Sequence, residues 1–326
     1  FLSFFFLAAI IYFYSYVNRE DGTVELIDKS ASVEQSNSTL EELKEDVLFY
    51  LYTSSNPEDG QQIWFQDNDT LSASNFNPKN PTRIVIHGYL SSATKTLANG
   101  TRDAYLSAGD FNIILVDWTA YSNKDYITAR TKIVTVGEYI GLMIDYLEFE
   151  GMKISDLIII GHSLGAHIAG IAGLMTQERV DQNFKIFLFL TGLDPAGVLF
   201  TGDSYSTLRS TDANFVQVIH TAAGTLGYNG NLGDVDIWVN GGWKQNGCGF
   251  DLFRTCAHSR SYFYYAEAIT NILEPFLAHK CDSNDNYNAK KCADNEFTYL
   301  GGLDIDTTAN GTFYVNTNSA STYAMS

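Results

Sequence analysis

The stretch 157–173 constrains the fold of this chain more than any other. Its first four residues are apolar and three of them are β-branched, which indicates a strand buried on both faces of a parallel sheet. The next five, Gly161 to Gly165, form a G-x-S-x-G sequence with Ser163 at its centre. Small residues at 166, 169, 170, 172 and 173 then suit a closely packed helix. A strand, a tight turn and a helix in this order predict that Ser163 is an exposed nucleophile.

Other apolar runs predict further strands that alternate with helices. We expect strands at 47–52, from 83 into Gly88, and at 112–117, 185–190 and 215–220, with helices at 126–147 and 259–277. Strands separated by helices are typical of a mostly parallel central sheet with helices on both faces. In such a sheet, catalytic groups lie just past the carboxyl ends of the strands.

A serine nucleophile needs a base to take its proton and an acid to orient that base. In α/β-hydrolases the acid follows the serine in the chain and the histidine comes last. This order favours Asp194, which lies past the end of a predicted strand, over Asp117, which precedes Ser163. We interpret Asp117 as a polar group at a strand end.

Six histidines are candidates for the base. His258 follows Cys256 in a predicted loop, which can carry its imidazole over the edge of the sheet, and His220 at a strand end is its competitor. The others are expected to have structural or surface roles. His87 and His162 lie beside glycine turns and are expected to bind local backbone groups, His167 lies one helical turn beyond the serine and is expected to pack under it, and His279 is expected on the surface.

An acyl-transfer intermediate carries an oxyanion that backbone N–H groups stabilise. One donor is the residue after the nucleophile and the other lies in the loop after an earlier strand. Leu164 and Tyr89 occupy these places, so we expect them to form the oxyanion hole; an ordinary turn at 87–89 is the alternative.

The net charge of the chain excludes some partners. Its 326 residues include 20 Lys and Arg against 38 Asp and Glu, a formal charge of −18. Such a chain repels nucleic acid and anionic membranes at long range. We expect no nucleic-acid partner, and if the protein meets a lipid surface we expect a zwitterionic or neutral one, bound through apolar side chains.

The first 45 residues are unlike the rest of the chain. Residues 1–17 are almost wholly apolar, which is typical of a secretory signal peptide, with a signal anchor as the alternative. No Met or basic region precedes them, so we expect that the sequence is truncated at its start. Residues 18–45 are acidic and polar, which predicts a mobile leader, and residues 46–326 are expected to form the folded domain.

Cysteines and sequons are consistent with secretion. The four cysteines allow three pairings, and the simplest joins Cys248 to Cys256 and Cys281 to Cys292. N-x-S/T sequons occur at 37, 68, 99 and 310. We therefore predict a secreted, disulfide-bonded protein that can carry N-linked glycans.

Several stretches together resemble the pancreatic lipase family of animals. They are IGHSLGAHIAG at 160–170, GLDPAG at 192–197, FVQVIHT at 215–221, NGG at 240–242 and CAHSRSY at 256–262, in the order that the family has them. The resemblance covers about residues 47–326. It implies an α/β-hydrolase fold, Ser163, Asp194 and His258 as the catalytic triad, Tyr89 and Leu164 as oxyanion donors, and a structural role for His220.

Three departures from the family narrow the expectation. The family's lid lies between two bridged cysteines and here has seven residues, Gly249, Phe250, Asp251, Leu252, Phe253, Arg254 and Thr255. This short lid resembles the phospholipase A1 branch, which includes venom phospholipases and many insect relatives. Only 68 residues follow His258, so we expect neither the C-terminal β-sandwich nor colipase as a partner. Arg209 replaces an acid of the family's calcium site, so we expect no metal, and we expect no cofactor.

We therefore predict a secreted ester hydrolase that acts on glycerolipids at a lipid–water interface. Cleavage of phospholipids at the sn-1 position is the main hypothesis. A triacylglycerol or galactolipid lipase is the first alternative, because lid length is correlated with head-group choice without causing it. A lipid-binding or yolk-type protein without activity is the second. Phe250, Leu252 and Phe253 are candidates for lipid contact, with inward packing as their alternative.

Overall fold

The computed structural model describes residues 14–18, 24–28, 38–179, 188–201, 204–303 and 305–325. Its strands are β1 Tyr14–Asn18, β2 Val24–Asp28, β3 Leu48–Tyr52, β4 Gln61–Ile63, β5 Thr82–Ile86, β6 Asn112–Asp117, β7 Leu157–His162, β8 Phe189–Leu193, β9 Phe215–His220, β10 Val235–Val239, β11 Leu277–Lys280, β12 Phe297–Tyr299 and β13 Gly311–Val315. Its helices are α1 Leu40–Asp46, α2 Asn68–Ala73, α3 Thr96–Ala108, α4 Thr119–Ser122, α5 Tyr126–Phe149, α6 Leu164–Arg179, α7 Thr255–Thr270 and α8 Asn284–Asn288.

Eleven of these strands form one sheet, in the order β12-β11-β13-β10-β9-β8-β7-β5-β6-β3-β4. The seven central strands from β13 to β6 are parallel. The strands toward the two edges, β11 and β12 on one side and β3 and β4 on the other, pair antiparallel. This is the mostly parallel sheet that the alternation of strands and helices predicted.

Hydrophobic cores lie on both faces of the sheet. Successive residues of β7 point to opposite faces, so Ile159 joins the core that contains α5 and α6, and Ile160 joins the core that contains α3 and α7. Burial on both faces explains why this strand is a continuous apolar run instead of an alternating one. The helices on each face hold the sheet rigid beneath the ends of its central strands. A mostly parallel sheet covered by helices on both faces is the α/β-hydrolase architecture that was expected.

Some predicted boundaries were wrong. The strand expected at 185–190 is β8 at 189–193; residues 185–187 lie outside the described residues. The helix expected at 259–277 is α7 at 255–270, and Leu277 begins β11. His258 therefore lies in the first turn of a helix and not in a loop. Short strands β10 to β13 were not predicted, because Gly, Asn and Asp residues interrupt that part of the sequence.

The described parts of the predicted leader, residues 24–28 and 38–45, pack onto the domain, contrary to the expectation that they are mobile. Ile27 in β2 is 1% exposed and Leu43 in α1 is 6% exposed, and both belong to the core on the α5 and α6 face. Helix α1 begins with a capping box in which Thr39 and Glu42 bind each other's backbone N–H. The domain boundary at 46 and the signal peptide remain predictions: residues 1–13 lie outside the described residues, and 14–18 form β1, which pairs with β2.

Two disulfides join Cys248 to Cys256 and Cys281 to Cys292, the pairing that was predicted as the simplest. Within the described ranges, the helices are too short or too polar to cross a bilayer. Of the four sequons, the one at Asn37 lies outside the described residues.

Candidate active site

Ser163 occupies the turn between β7 and α6. Its φ angle is +56°, in the left-handed region that residues with a side chain rarely adopt. The turn is close: a Cβ atom at Gly161 would lie 2.1 Å from the Gly165 carbonyl oxygen, and one at Gly165 would lie 2.3 Å from the Ile86 oxygen. A larger residue at either glycine of the motif would therefore collide with the backbone. The turn holds Ser163 at the carboxyl edge of the sheet.

Asp194 follows β8 and is fully buried. Its Oδ1 accepts hydrogen bonds from the backbone N–H groups of Thr221 (2.7 Å) and Ala222 (3.0 Å), both in the loop after β9. These donors compensate for the burial of a carboxylate and fix its orientation. The other oxygen, Oδ2, faces His258.

His258 Nδ1 lies 2.6 Å from Asp194 Oδ2. Since an ionised carboxylate only accepts, Nδ1 carries the proton, and Nε2 is left as the basic nitrogen. The imidazole is mostly buried, with 12% of the side chain exposed. Its helix is held in place by Asp251, whose carboxylate accepts from the backbone N–H groups of Cys256 and Ala257.

The expected oxyanion donors lie beside the serine. Leu164 is the first residue of α6, so its N–H has no acceptor within the helix. Tyr89 lies in the loop after β5, and Gly88 before it comes so close that a Cβ there would lie 2.7 Å from Ser163 Cβ. His87 fixes this loop: Nδ1 donates to the Gly88 oxygen and Nε2 accepts from the Trp118 N–H.

Ser163, His258 and Tyr89 line one cavity of about 290 Å³. Leu97, Val198 and Leu226 supply part of its apolar lining. A volume of this size with an apolar lining and a few polar groups is typical of a small-molecule site. These apolar residues were not predicted from the sequence, because the local pattern of a residue that lines a cavity is the same as that of a residue in the hydrophobic core.

The remaining histidines do not compete for the role of base. His220 Nε2 lies 2.8 Å from Asp236 Oδ1, and its ring stacks on Trp238 with centroids 4.3 Å apart. His167 Nε2 donates to the Ala196 oxygen at 2.8 Å, and its Nδ1 accepts from the Leu208 N–H. Burial lowers the pKa of His167 to about 3 and that of His87 to about 4. These three side chains are structural.

His162 has a contact that the sequence did not predict. Its Nε2 donates to the backbone oxygen of His258, 96 residues along the chain, at 3.2 Å, and the two rings lie 4.4 Å apart. The expectation of a local backbone partner was therefore wrong. Burial first, and the neighbouring His258 second, hold the pKa of His162 well below its ordinary value. His162 thus supports His258 as a neutral neighbour.

Asp117, the alternative acid, is a strand-end group as interpreted. Its Oδ1 accepts from the Thr119 N–H at 3.0 Å, and its Oδ2 accepts from the Ala93 N–H at 3.2 Å. These bonds join the loops after β5 and β6.

Glu25 of β2 contacts two walls of the cavity. The Tyr89 hydroxyl donates to Glu25 Oε2 at 2.6 Å, and the backbone N–H of Tyr126 donates to Oε1 at 2.8 Å. Tyr126 begins α5 and also lines the cavity. A residue from the predicted leader thus supports the loop that carries Tyr89, and no local sequence signal indicates a contact over this distance.

The residues around Arg209 do not fit a calcium ion. The Arg209 guanidinium lies 3.4 Å from Asp212 Oδ1, and its backbone N–H donates to Oδ2 at 2.8 Å. Both oxygens of the one acid are therefore engaged by a residue that cannot ligate a cation. Burial raises the pKa of Asp212 to about 6.

The sheet, the strained serine turn and the Asp194–His258 pair together define an α/β-hydrolase of the serine type in its architecture. Comparison with known proteins is more specific. The family model described as Lipase matches residues 12–323. The chain is 34% identical over 271 residues to human pancreatic lipase-related protein 2, covering 76% of this chain and 56% of that one.

Two further relatives are as similar. The chain is 34% identical over 255 residues to bovine phospholipase A1 member A, covering 76% of this chain and 54% of the relative. It is also 34% identical over 268 residues to human inactive pancreatic lipase-related protein 1, covering 75% and 56%. The chain spans little more than half the length of these relatives. It belongs to the pancreatic lipase family.

Proposed function

We propose that the chain is a secreted ester hydrolase of glycerolipids. The observation that carries this proposal is the 2.6 Å contact of His258 with Asp194 at the wall of the cavity that contains Ser163. Family membership supports it, and the two disulfides support secretion.

In the proposed mechanism, Ser163 Oγ attacks the ester carbonyl while His258 Nε2 takes its proton. Asp194 keeps the proton of the imidazole on Nδ1 and stabilises the imidazolium that forms. The N–H groups of Tyr89 and Leu164 receive the developing oxyanion. His258 then protonates the leaving alcohol, and water releases the fatty acid from the acyl-Ser163 ester by the same steps.

The narrower proposal is phospholipase A1 activity, the release of the sn-1 fatty acid from a phospholipid. Because the loop 249–255 has only seven residues, we expect it to cover little of the cavity, so that a polar head group can remain in water while one acyl chain enters. Lys95 also lines the cavity, and its positive charge suits contact with the phosphate of a phospholipid. Similarity to phospholipase A1 member A supports this reading.

Two other functions have some support. Pancreatic triacylglycerol lipases are similar at about the same level, for example the mouse protein at 32% identity over 268 residues, so a neutral glycerolipid lipase is the first alternative. The second alternative is a lipid-binding protein without catalytic activity, and similarity to a relative named as inactive favours it. The paired Asp194 and His258 beside Ser163 argue against the second.

One experiment separates these functions. The purified protein is given phosphatidylcholine and triacylglycerol separately, and the products are identified by mass spectrometry, with Ser163→Ala as the control. We expect a lysophospholipid that lacks its sn-1 chain, and no product from the variant. Release of fatty acid from triacylglycerol alone contradicts the narrower proposal, and no release from either lipid contradicts the wider one.

A further inference from the structure

Exposed apolar side chains occur both beside the active-site cavity and far from it. Phe250 and Leu252 are 91% and 65% exposed, so inward packing is contradicted for them, while Phe253 is half-buried. Phe149 is 86% exposed and ends α5. That helix begins at Tyr126, which lines the cavity, and its 24 residues place Phe149 about 35 Å away along the helix axis. Phe149 is therefore not part of the ester site.

Phe149 lines a second groove, with a volume of about 480 Å³. Tyr146 and Leu142 line it as well, three and seven residues before Phe149, so the three side chains lie along one face of α5. Phe65, two residues after β4, also lines this groove. An exposed aromatic ring beside an apolar groove indicates a surface that another group covers.

The sequon Asn68-Asp69-Thr70 lies at the same groove. Asn68 is exposed and is one of the residues that line it. The hydroxyl of Tyr146 donates to Asn68 Oδ1 at 2.9 Å. Among the residues that the structure describes, Asn68 Nδ2 has no hydrogen-bond partner. Since N-linked glycosylation modifies this nitrogen, the groove contains an attachment point for a glycan.

The backbone around Asn68 is held by short-range hydrogen bonds. The Asp67 carboxylate accepts from the N–H groups of Asp69 and Thr70 at 3.1 and 3.0 Å, which caps α2. The Thr70 hydroxyl donates to the Asp67 backbone oxygen at 3.1 Å. Because Tyr146 also binds the amide oxygen of Asn68, the position of Nδ2 relative to the groove is fixed.

The two other sequons that the structure describes lack this arrangement. Asn99 lies in α3, is half-buried, and its Nδ2 donates to the Thr94 oxygen at 2.9 Å. Asn310 is exposed just before β13 and is not one of the residues that line the groove. Of these three sequons, Asn68 is thus the one that adjoins an apolar groove.

The charge around the groove favours a sugar as its occupant. Asp145 and Glu150 line it, and Asp67 and Asp69 flank Asn68 in the chain. Sugar hydroxyl and acetamide N–H groups donate to carboxylates, and the C–H face of an N-acetylglucosamine ring can cover an aromatic ring. The same carboxylates repel an anionic lipid or a second copy of a chain with a formal charge of −18.

We propose that Asn68 carries an N-linked glycan whose first sugars lie in this groove and cover Phe149. The donor is an oligosaccharide on a lipid diphosphate. Asn68 Nδ2 forms a bond to the first carbon of its N-acetylglucosamine and loses one proton, while the bond from that carbon to the diphosphate breaks and the lipid diphosphate leaves with the electron pair. The secretory machinery of the cell catalyses this transfer. The inference rests on secretion in the proposed function and not on the ester chemistry.

The first test is the occupancy of Asn68. The full chain is expressed behind a host signal peptide in eukaryotic cells, collected from the medium and treated with peptide N-glycanase in water enriched in heavy oxygen. Peptide mass spectrometry then finds heavy aspartate wherever a glycan was attached. We expect it at position 68 in most of the molecules. An unmodified Asn68 in the secreted, disulfide-bonded protein overturns the proposal.

The second test is the contact with Phe149, measured by the midpoint of thermal unfolding. Thr70→Ala removes the sequon but keeps Asn68, and Thr70→Ser preserves the sequon. We expect Thr70→Ala to lower the midpoint by about 2–4 °C relative to Thr70→Ser. Phe149→Ala should lower the midpoint by a similar amount in the glycosylated protein and hardly at all in Thr70→Ala. An equal effect of Phe149→Ala in both backgrounds overturns the contact.

Asn310→Gln is the matched control, because it removes an exposed sequon that does not line the groove. Its midpoint should equal that of the native chain, and a decrease as large as that of Thr70→Ala contradicts the proposal. Hydrolysis of a water-soluble short-chain ester by the same preparations separates the two proposals. Hydrolysis by a protein with unmodified Asn68 contradicts the glycan alone, and a glycosylated Asn68 without hydrolysis contradicts the proposed function alone.

Discussion

The backbone of Ser163 is strained, because a residue with a side chain occupies a φ angle of +56°. A glycine adopts this conformation without that cost. We therefore expect Ser163→Gly to be more stable than Ser163→Ala by about 1 kcal/mol in free energy of unfolding, although neither hydrolyses esters. Urea unfolding of the two variants measures the difference. Equal stabilities would mean that the turn stores no strain at this position.

Asp194 is expected to act through the imidazole of His258. Asp194→Asn keeps the shape of the side chain but removes the charge that holds the proton on Nδ1, so kcat should fall by about 10³- to 10⁴-fold. Asp117→Asn is the control, because Asp117 is the other strand-end aspartate and its carboxylate accepts from the Ala93 and Thr119 N–H groups and the Thr119 hydroxyl. Its kcat should stay within about tenfold of that of the native chain. A larger loss in Asp117→Asn than in Asp194→Asn would reverse the assignment of the acid.

For individual residues, the sequence indicates which ones end buried strands, and their order along the chain relative to Ser163 then distinguishes Asp194 from Asp117. What it does not indicate are contacts between distant segments. The bond from His162 to the His258 backbone and the bonds from Tyr89 and Tyr126 to Glu25 each join residues more than 60 positions apart. No local pattern encodes such pairs, since they depend on how the finished sheet brings loops together.

Helix α7 carries the proposed catalytic base, His258, and begins at Thr255, which also lines the cavity. The Cys248–Cys256 bridge lies two residues before His258, so its loss should loosen both the loop and the first turn of the helix. We expect Cys248→Ser with Cys256→Ser to lower the free energy of unfolding by roughly 2–3 kcal/mol and to lower kcat as well.

The second disulfide supplies the control for this prediction. Cys281 and Cys292 close a loop of similar length beside β11 and α8, away from the cavity-lining residues. Cys281→Ser with Cys292→Ser should cost a similar free energy of unfolding while kcat, measured well below the unfolding transition, is unchanged. Equal losses of kcat in the two double variants would show that the first bridge has no special link to His258.

Elements were predictable where the pattern is long and buried. The runs that form β6, β7 and β9 match the expected bounds at 112–117, 157–160 and 215–220 closely, because strands buried on both faces are continuous apolar segments. The start of α7 was missed, because the side chain that caps it is not at the N-cap position. Asp251 lies three residues before the N-cap Arg254, and its carboxylate accepts from the Cys256 and Ala257 N–H groups. The strands β11 and β12 at the sheet edge have four and three residues, which is too short for a recognisable pattern.

Across the whole molecule, buried histidines link stability to pH. The pKa is about 4 for His87 and about 3 for His167, and that of His162 is also well below the ordinary value of 6.5. Below pH 6.5 the unfolded chain binds protons at these positions that the folded chain does not bind. The free energy of unfolding should therefore fall as the pH is lowered from about 6.5 to 4. Denaturation midpoints at pH 7, 5.5 and 4 test this expectation, and a constant midpoint contradicts it.

Asp212 acts in the opposite direction over part of this range. Its pKa is raised from 3.8 to about 6, so between these values the folded chain binds the proton and is favoured as the pH falls. Asp212→Asn removes this contribution. The decline in unfolding free energy between pH 6 and 4 should then be steeper by roughly 1–3 kcal/mol. An unchanged decline would mean that burial does not shift this carboxyl group.

The proposed function requires that Ser163 is a nucleophile activated by His258 and Asp194. The most direct test exposes the folded protein to a fluorophosphonate, which modifies activated serines, and locates the adduct by peptide mass spectrometry. We expect a single adduct on Ser163 of the native chain that is lost in His258→Ala and Asp194→Asn. No adduct on the native chain, an adduct on another serine, or undiminished labelling of Ser163 in His258→Ala would contradict it.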